Sequence, residues 1–411
     1  MIGGTTESGV RYAVKQGGKA VAYCSLSLRC GTRNEEGFHN GIAHFTEHTI
    51  FKGTAKKTAR TINGRLERLG GELNAYTTKE EIVIHATVLK EDLRKAVDLL
   101  LELATSASFP SKEVETEKGV VIEEIQSYKD SPADDIFDRF EEKLFAGHPL
   151  GYPILGTAKS VKKIGHDELK SFAEKFFIPE RMALSIVADI EEKKLEKIAQ
   201  QICDRYFHGH TGVPAEPDCT PAGGVDISVF NETVDKHNHE VNAVIGSSAP
   251  SLYEEHERLT AVLLSNILGG PSSNSLLNSE LREKNGWVYG VECSYTQYSD
   301  TGIMAIALGC DKENLDRCLS VVDKHLEALR TKELTPAKLK AAKKQLLGQL
   351  AVGSDNGETQ CLSMGKSLLC FGRVSSDQEN RKAIEAITAE DIKKTAQRIF
   401  DPSKLSRLIF L

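Results

Sequence analysis

The chain repeats itself, and the repeat constrains its fold more than any single segment does. KEDLRKAVDLLLEL, from Lys90, is echoed by KENLDRCLSVVDKHL, from Lys312, and each follows a strand-like run, IVIHATV from Ile82 and GIMAIALG from Gly302. A helix-start signal and an amphipathic stretch come next in both copies, SKEVETEKGVVIEEI from Ser111 and TPAKLKAAKKQLLGQL from Thr335. This is duplication at a period of a little over two hundred residues. Between the copies, His208 to Gly224 (HGHTGVPAEPDCTPAGG) is rich in proline and glycine and has no hydrophobic period, so it reads as a linker between domains at 1–207 and 225–411. Strands alternating with amphipathic helices, with hairpin-like runs, predict an α+β fold: two homologous domains, each a largely antiparallel mixed sheet covered by helices.

The first copy carries a feature that the second lacks. His44-Phe45-Thr46-Glu47-His48 sets two imidazoles four residues apart, just over one helical turn, so both rings project from one helix face and can share a tetrahedral ion. Glu47 lies on an adjacent line, free to hold a metal-bound water. A zinc site that keeps one position for water needs a third protein ligand. Ser111 to Lys129 offers one: it opens on a serine N-cap with acids in its first turns, and Asp130-Ser131-Pro132 stops it. Val114, Val121, Ile122 and Ile125 predict its core face, whereas Glu117 and Glu124, seven apart, stack on another. Glu124 can complete the site, and Glu117 is placed to support it from behind. In the second copy Gln349 aligns with Glu124, and Val262 and Asn266 fall roughly where His44 and His48 stand. A neutral amide is a poor zinc ligand and valine is none.

With these residues in view, the chain resembles the pitrilysin/insulysin family of zinc peptidases, whose inverted H-x-x-E-H order is the inverzincin motif. It looks most like the branch of short subunits that includes mitochondrial processing peptidase. GIAHFTEHTIFKGT from Gly41, LERLGGELNAYTTKE from Leu66, EKGVVIEEIQ from Glu117 and GGPSSNSLLNSELREKNGWVYGV from Gly269 carry the resemblance, and Glu124 follows His48 by the family's interval, 76 residues. The resemblance implies a zinc metalloendopeptidase with one Zn2+ per chain, bound by His44, His48 and Glu124. Glu47 would be the general base on zinc-bound water and Glu117 the supporting acid. It implies further that Asn74 and Ala75, in the strand after Gly70-Gly71, pair with the peptide backbone, and that Arg282 and Tyr289 hold a substrate carbonyl and the developing oxyanion. Longer relatives close four such domains into a chamber. This chain has two, with the zinc set and the Arg/Tyr pair together, which predicts a homodimer in which Arg282 and Tyr289 act in trans on unfolded peptides or short protein segments. The competing class, a non-catalytic assembly subunit, is disfavoured because such relatives lack part of the ligand set, and a regulatory partner of another peptidase would be inert alone.

Composition narrows the remaining classes. A content of 40% hydrophobic residues supports a large core, yet no run is apolar enough to span a membrane, and MIGGTTESGVRYAV lacks a basic-then-apolar leader pattern. Nine scattered cysteines without a C-x-x-C pair favour free thiols in a reducing, cytoplasmic compartment. A net charge of −7 argues against a nucleic-acid partner. His208-x-His210 and His237-x-His239 have metal-like spacing but no partnering acid nearby, and are expected to be solvated. The Gly269–Ser273 loop lacks the Lys-Ser/Thr ending of a phosphate loop and is expected to shape a wall of the chamber.

Overall fold

Strand-forming runs of the first half pair into one mixed sheet. In the computed structural model, which describes residues 1–18, 20–215 and 225–411, these are β1 (Ile2–Thr5), β2 (Arg11–Gln16), β3 (Val21–Leu28), β6 (Glu72–Thr77), β7 (Ile82–Leu89) and β8 (Met182–Ala188), with β4 (Gly53–Thr54) and β5 (Lys57–Thr58) forming a small separate hairpin. The sheet order is β1-β2-β8-β3-β7-β6, and only β2 and β8 run parallel. In the second half β9 (Asn231–Val234), β10 (Val241–Ala249), β11 (Val288–Gln297), β12 (Gly302–Cys310) and β13 (Ser406–Phe410) form a sheet of order β11-β12-β10-β13-β9, with only β13 and β9 parallel. Strand for strand, β6-β7-β3-β8-β2 and β11-β12-β10-β13-β9 match in order and direction. The expected α+β duplication is present in the topology itself.

Helices cover both faces of the first sheet. Leu93–Ser106 and Glu192–Tyr206 lie on one, sealing Ala22, Cys24, Leu26 and Leu28 of β3, and Gly357–Phe371 lies on the other. A strand without a solvent face does not alternate polar and apolar residues, and every residue of Met182–Ala188 is buried.

The two compact units are not contiguous halves of the chain. The second takes Ser127–Gly151 from the first half, and the first takes Val352–Ser375 from the second half. Of the expected linker at 208–224, residues 216–224 lie outside the described residues. Complementary surfaces account for the exchange. Helix Pro132–Leu144 packs Ile136, Phe140 and Leu144 onto β10 and β13, where Gly246 makes room: a Cβ there would stand 2.5 Å from the Met304 carbonyl oxygen and 3.2 Å from the Phe140 ring. Helix Gly357–Phe371 lies on β3 and β8 with Gly365 against three serines, and a Cβ there would stand 2.7 Å from Ser27 Oγ and 3.2 Å from Ser25 Oγ. The Ser25 and Ser185 hydroxyls share a 2.7 Å hydrogen bond and Ser185 donates to the Cys361 carbonyl at 2.7 Å, so burial leaves neither unsatisfied.

The long helix Ser111–Lys129 spans the expected residues and buries Val114, Val121 and Ile125. Ser111 is, however, its first helical residue rather than a flanking cap, and Val114 N–H donates to the Pro110 carbonyl at 2.9 Å. Among the described residues no helix is long and apolar enough to cross a membrane, and the eight described cysteines are free thiols, Cys219 being outside that set.

Candidate metal centre

Helix Ile42–Ile50 places both histidines against the helix that carries Glu124. It is anchored by Ile42, Ala43, Phe45 and Ile50, none of which is exposed. The His44 and His48 rings lie 4.5 Å apart between centroids. Glu124 Oε2 is 3.7 Å from His44 Nε2 and 3.4 Å from His48 Nε2. A tetrahedral zinc ion with bonds of ~2.0–2.2 Å holds its donor atoms ~3.3–3.5 Å apart, so this trio fits such an ion with little adjustment. Among the described residues it is the one group of three or more His, Cys, Asp or Glu side chains whose donor atoms converge in this way.

The electrostatics suit a ligand set. Burial, with the His48 ring beside it, pushes the His44 pKa down to about 3, which leaves a neutral imidazole with a free lone pair. His48 behaves oppositely: burial alone would lower its pKa, but the Glu117 hydrogen bond and the Glu47 and Glu124 charges outweigh that and raise it. His48 Nδ1 lies 2.9 Å from Glu117 Oε1, and Lys52 Nζ lies 2.7 Å from the other Glu117 oxygen. With Nδ1–H donated to Glu117, the His48 Nε2 lone pair faces Glu124. Burial would raise the Glu117 pKa, but His48 and Lys52 more than offset it and hold the acid ionised. Glu47 is 9% exposed, burial raises its pKa, and its Oε2 accepts a 3.1 Å hydrogen bond from the Thr77 hydroxyl.

A cavity of about 690 Å³ opens beside this cluster, lined by Glu47, His48, Phe51, Leu66, Leu73 and Asn74 among others. One wall is β6, the last strand of its sheet, which pairs with β7 on one side only. Asn74 is exposed and Ala75 half-buried on that strand.

Comparison with known proteins agrees with this geometry. Residues 11–158 match the insulinase family (peptidase family M16), and residues 163–346 match the M16 inactive domain. An uncharacterized zinc protease of Mycobacterium tuberculosis is 30% identical over 370 residues, covering 90% of this chain and 83% of its own. The chain belongs to the M16 family of zinc metallopeptidases. The uncharacterized zinc protease YmxG of Bacillus subtilis is 29% identical over 399 residues, covering 96% of this chain and 95% of its own. In fold, the M16 peptidase is similar to a protease from Helicobacter pylori (TM-score 0.88, 19% identity, covering 100% of this chain and 98% of that one). It is also similar to an M16 inactive domain from Pseudomonas fluorescens (TM-score 0.87, 20% identity, covering 100% and 97%).

The counterpart position in the second unit of this M16 peptidase holds no comparable donor set. Asn266, on helix Glu255–Gly269, donates from Nδ2 to Gln349 Oε1 at 2.7 Å, and Gln349 Nε2 donates to Ser272 Oγ at 3.1 Å. Arg282 and Tyr289 belong to this unit, whereas the histidines belong to the other. Arg282 is exposed on a π-helical turn, Asn278–Lys284, and lines a cavity of about 490 Å³ with Gly269, Gly270 and Pro271 in its wall. Tyr289 is 61% exposed at a bulge in β11, does not line that cavity, and donates its hydroxyl to Asp311 at 2.8 Å. His208, His210, His237 and His239 are all exposed, but two of them do have an acid beside them, contrary to expectation: His210 Nε2 lies 2.6 Å from Glu180 Oε1 and His237 Nδ1 3.0 Å from Asp235 Oδ1.

Among the residues that went unread in the sequence are Lys52 and Thr77. Lys52 follows His48 by four residues, a spacing that places it near anything bound to His48 from the side. Thr77 closes the strand after Gly70-Gly71, and nothing in its neighbours marks it.

Proposed function

We propose that this M16 peptidase is a zinc endopeptidase that hydrolyses unfolded peptides or short protein segments in a chamber closed by two copies of the chain. The convergence of His44, His48 and Glu124 beside Glu47, on a cavity walled by an edge strand, carries this reading. The unit built mainly from residues 1–207 would hold the catalytic set, and the unit built mainly from residues 225–411, a duplicate without the metal ligands, would contact substrate. One zinc ion per chain is held by the two imidazoles and Glu124, and when bound it supplies Lewis acidity toward the attacking water and the scissile carbonyl.

The remaining steps belong to the chain's own groups. A peptide laid along β6 at Asn74 and Ala75 gains main-chain hydrogen bonds that fix the scissile amide and tolerate many side chains. Glu47 takes the proton of the attacking water and delivers it to the leaving amine, while the Thr77 hydroxyl orients its carboxylate. Glu117 holds the His48 ring. Arg282 and Tyr289 donate to the charge that grows on the carbonyl oxygen, with Tyr289 exchanging Asp311 for substrate. Because one chain carries both sets, self-pairing with Arg282 and Tyr289 in trans is favoured over a heterodimer. Free thiols throughout the described residues favour a reducing, cytoplasmic setting.

The test is hydrolysis of a quenched, unstructured peptide library by wild type and Glu47→Gln, with zinc quantified in both. Glu47→Gln should keep one zinc per chain and lose ~10²–10⁴-fold in kcat. Equal rates would remove Glu47 from the mechanism, and zinc without cleavage by wild type would defeat the endopeptidase reading. Mixing Glu47→Gln with Tyr289→Phe tests the trans arrangement, since a mixed dimer rebuilds one intact site. No recovery on mixing, with subunit exchange verified, would exclude it.

A further inference from the structure

We propose that Glu35 is a positioning residue of the metal centre: it clamps the first turn of the histidine helix to the end of the β6–β7 hairpin, and through that turn sets His44. This rests on the zinc-peptidase reading above but adds a residue that no part of the H-x-x-E-H pattern contains.

Glu35 lies six residues before the helix N-cap, Gly41, which has no side chain to offer. It is only 4% exposed, and its carboxyl group is aimed at the helix end: Oε2 accepts from Gly41 N–H at 2.9 Å and Oε1 from Ala43 N–H at 3.0 Å. These are among the amides that a helix leaves without an internal partner. The same loop is fastened elsewhere through its backbone, where Thr32 N–H donates to the Thr78 carbonyl at 3.2 Å and Arg33 N–H to the Lys79 carbonyl at 2.9 Å. Gly31 permits that approach, because a Cβ there would stand 2.4 Å from the Thr78 oxygen. Thr78 follows Thr77, the residue that holds Glu47. A five-residue loop thus ties the helix bearing His44 and Glu47 to the strand end that orients Glu47.

His44 depends on this clamp more than His48 does. The His48 ring is held from behind by Glu117 and Lys52. The buried His44 Nδ1 has no hydrogen-bond partner among the described residues, so no hydrogen bond holds that ring from behind. Its direction follows from packing and from where its backbone begins. That backbone starts directly after Ala43, whose amide Glu35 holds. Losing the carboxyl group frees the first turn to fray or shift, and His44 is the ligand that moves first.

The experiment measures zinc affinity by chelator competition for wild type, Glu35→Gln and Glu35→Ala, with thermal melts of the zinc-free proteins and kcat and KM at saturating zinc. Thr388→Ala, which removes a side-chain cap from helix Ala389–Ile399 of the second unit, controls for destabilisation alone. The expected result is a zinc affinity ~10–100-fold weaker in Glu35→Ala, an intermediate loss in Glu35→Gln, which keeps one acceptor oxygen, and none in Thr388→Ala. At saturating zinc kcat should fall while KM stays within about twofold. Should Glu35→Ala fail to fold, the Glu35→Gln affinity decides. Wild-type zinc affinity in the folded Glu35 variants, whatever their melting temperatures, would overturn the proposal. Because affinity is read without substrate, a wild type that binds zinc and cleaves nothing would defeat the peptidase reading alone.

Discussion

The two sheets share an order and a set of strand directions, yet their corresponding helix pairs solve the same contact in opposite ways. In the first unit, two imidazoles and a carboxylate converge, and neither Nε2 lone pair nor the Glu124 oxygen between them can satisfy the others unless a cation or a proton stands among them. In the second, Asn266 donates to Gln349 and Gln349 donates to Ser272, so the corresponding contact is complete without an ion. Amides carry both donors and acceptors, whereas carboxylates and unprotonated ring nitrogens only accept. The scaffold therefore does not make a metal centre. The choice between acceptor-only and self-complementary side chains does.

The sharpest way to break this comparison is to make the first site resemble the second. Glu124→Gln replaces the charged ligand with the residue found at Gln349, and should lose zinc outright, with a fall in activity beyond the ~100-fold that loss of an outer partner produces. Metal analysis after dialysis and peptide hydrolysis would read both. One tightly held zinc in this variant would mean that charge at that position is not what separates the two units.

A milder perturbation leaves the ligands and removes their support. Glu117→Gln keeps the shape but loses the charge that pairs with Lys52 and draws the His48 Nδ1 proton. Zinc affinity should weaken ~10–100-fold, with one zinc per chain still bound at saturation. Unchanged affinity by chelator competition would show that packing alone orients His48.

Stability rather than chemistry separates the units at their exchanged helices. In the first unit the helix contributes the glycine, Gly365, and the sheet the serines; in the second the sheet contributes the glycine, Gly246, and the helix the bulk of Phe140. Gly365→Val should cost ~1–3 kcal/mol by overpacking, visible as a lower denaturation midpoint with zinc affinity retained. A neutral result would mean that the helix does not seat as closely as its glycine suggests.

The convergence of His44, His48 and Glu124 was legible in the sequence because its information is local: His44 and His48 share a turn, and Glu117 and Glu124 share a helix face. The duplication was legible too, down to Gln349 standing for Glu124, since each copy repeats its strand-then-helix pattern. The exchange of Pro132–Leu144 and Gly357–Phe371 was not, because a helix's destination depends on whether a distant strand offers Gly246 or Ser25 and Ser185. No period in the helix encodes that. Lys52, Thr77 and Glu35 were missed for a related reason. Each acts through a hydrogen bond or ion pair to a group whose position only the fold supplies, and charged or hydroxyl residues in polar stretches are ordinarily solvated.

The smallest expected effect lies in the second unit and sharpens the comparison from its other side. Gln349→Ala leaves the Asn266 amide without its acceptor and Ser272 without its donor, in a contact that is only partly buried, so water can replace much of what is lost. A stability loss of about 1 kcal/mol follows, with zinc content and peptide hydrolysis unchanged. Gln349→Glu should be milder still, since Asn266 can donate to a carboxylate as readily as to an amide oxygen. It should bind no second zinc, because Val262 offers no donor and Asn266 a weak one. A second zinc in Gln349→Glu, counted at saturation against Glu124→Gln, would mean that one carboxylate suffices to turn the self-satisfied contact into a metal site.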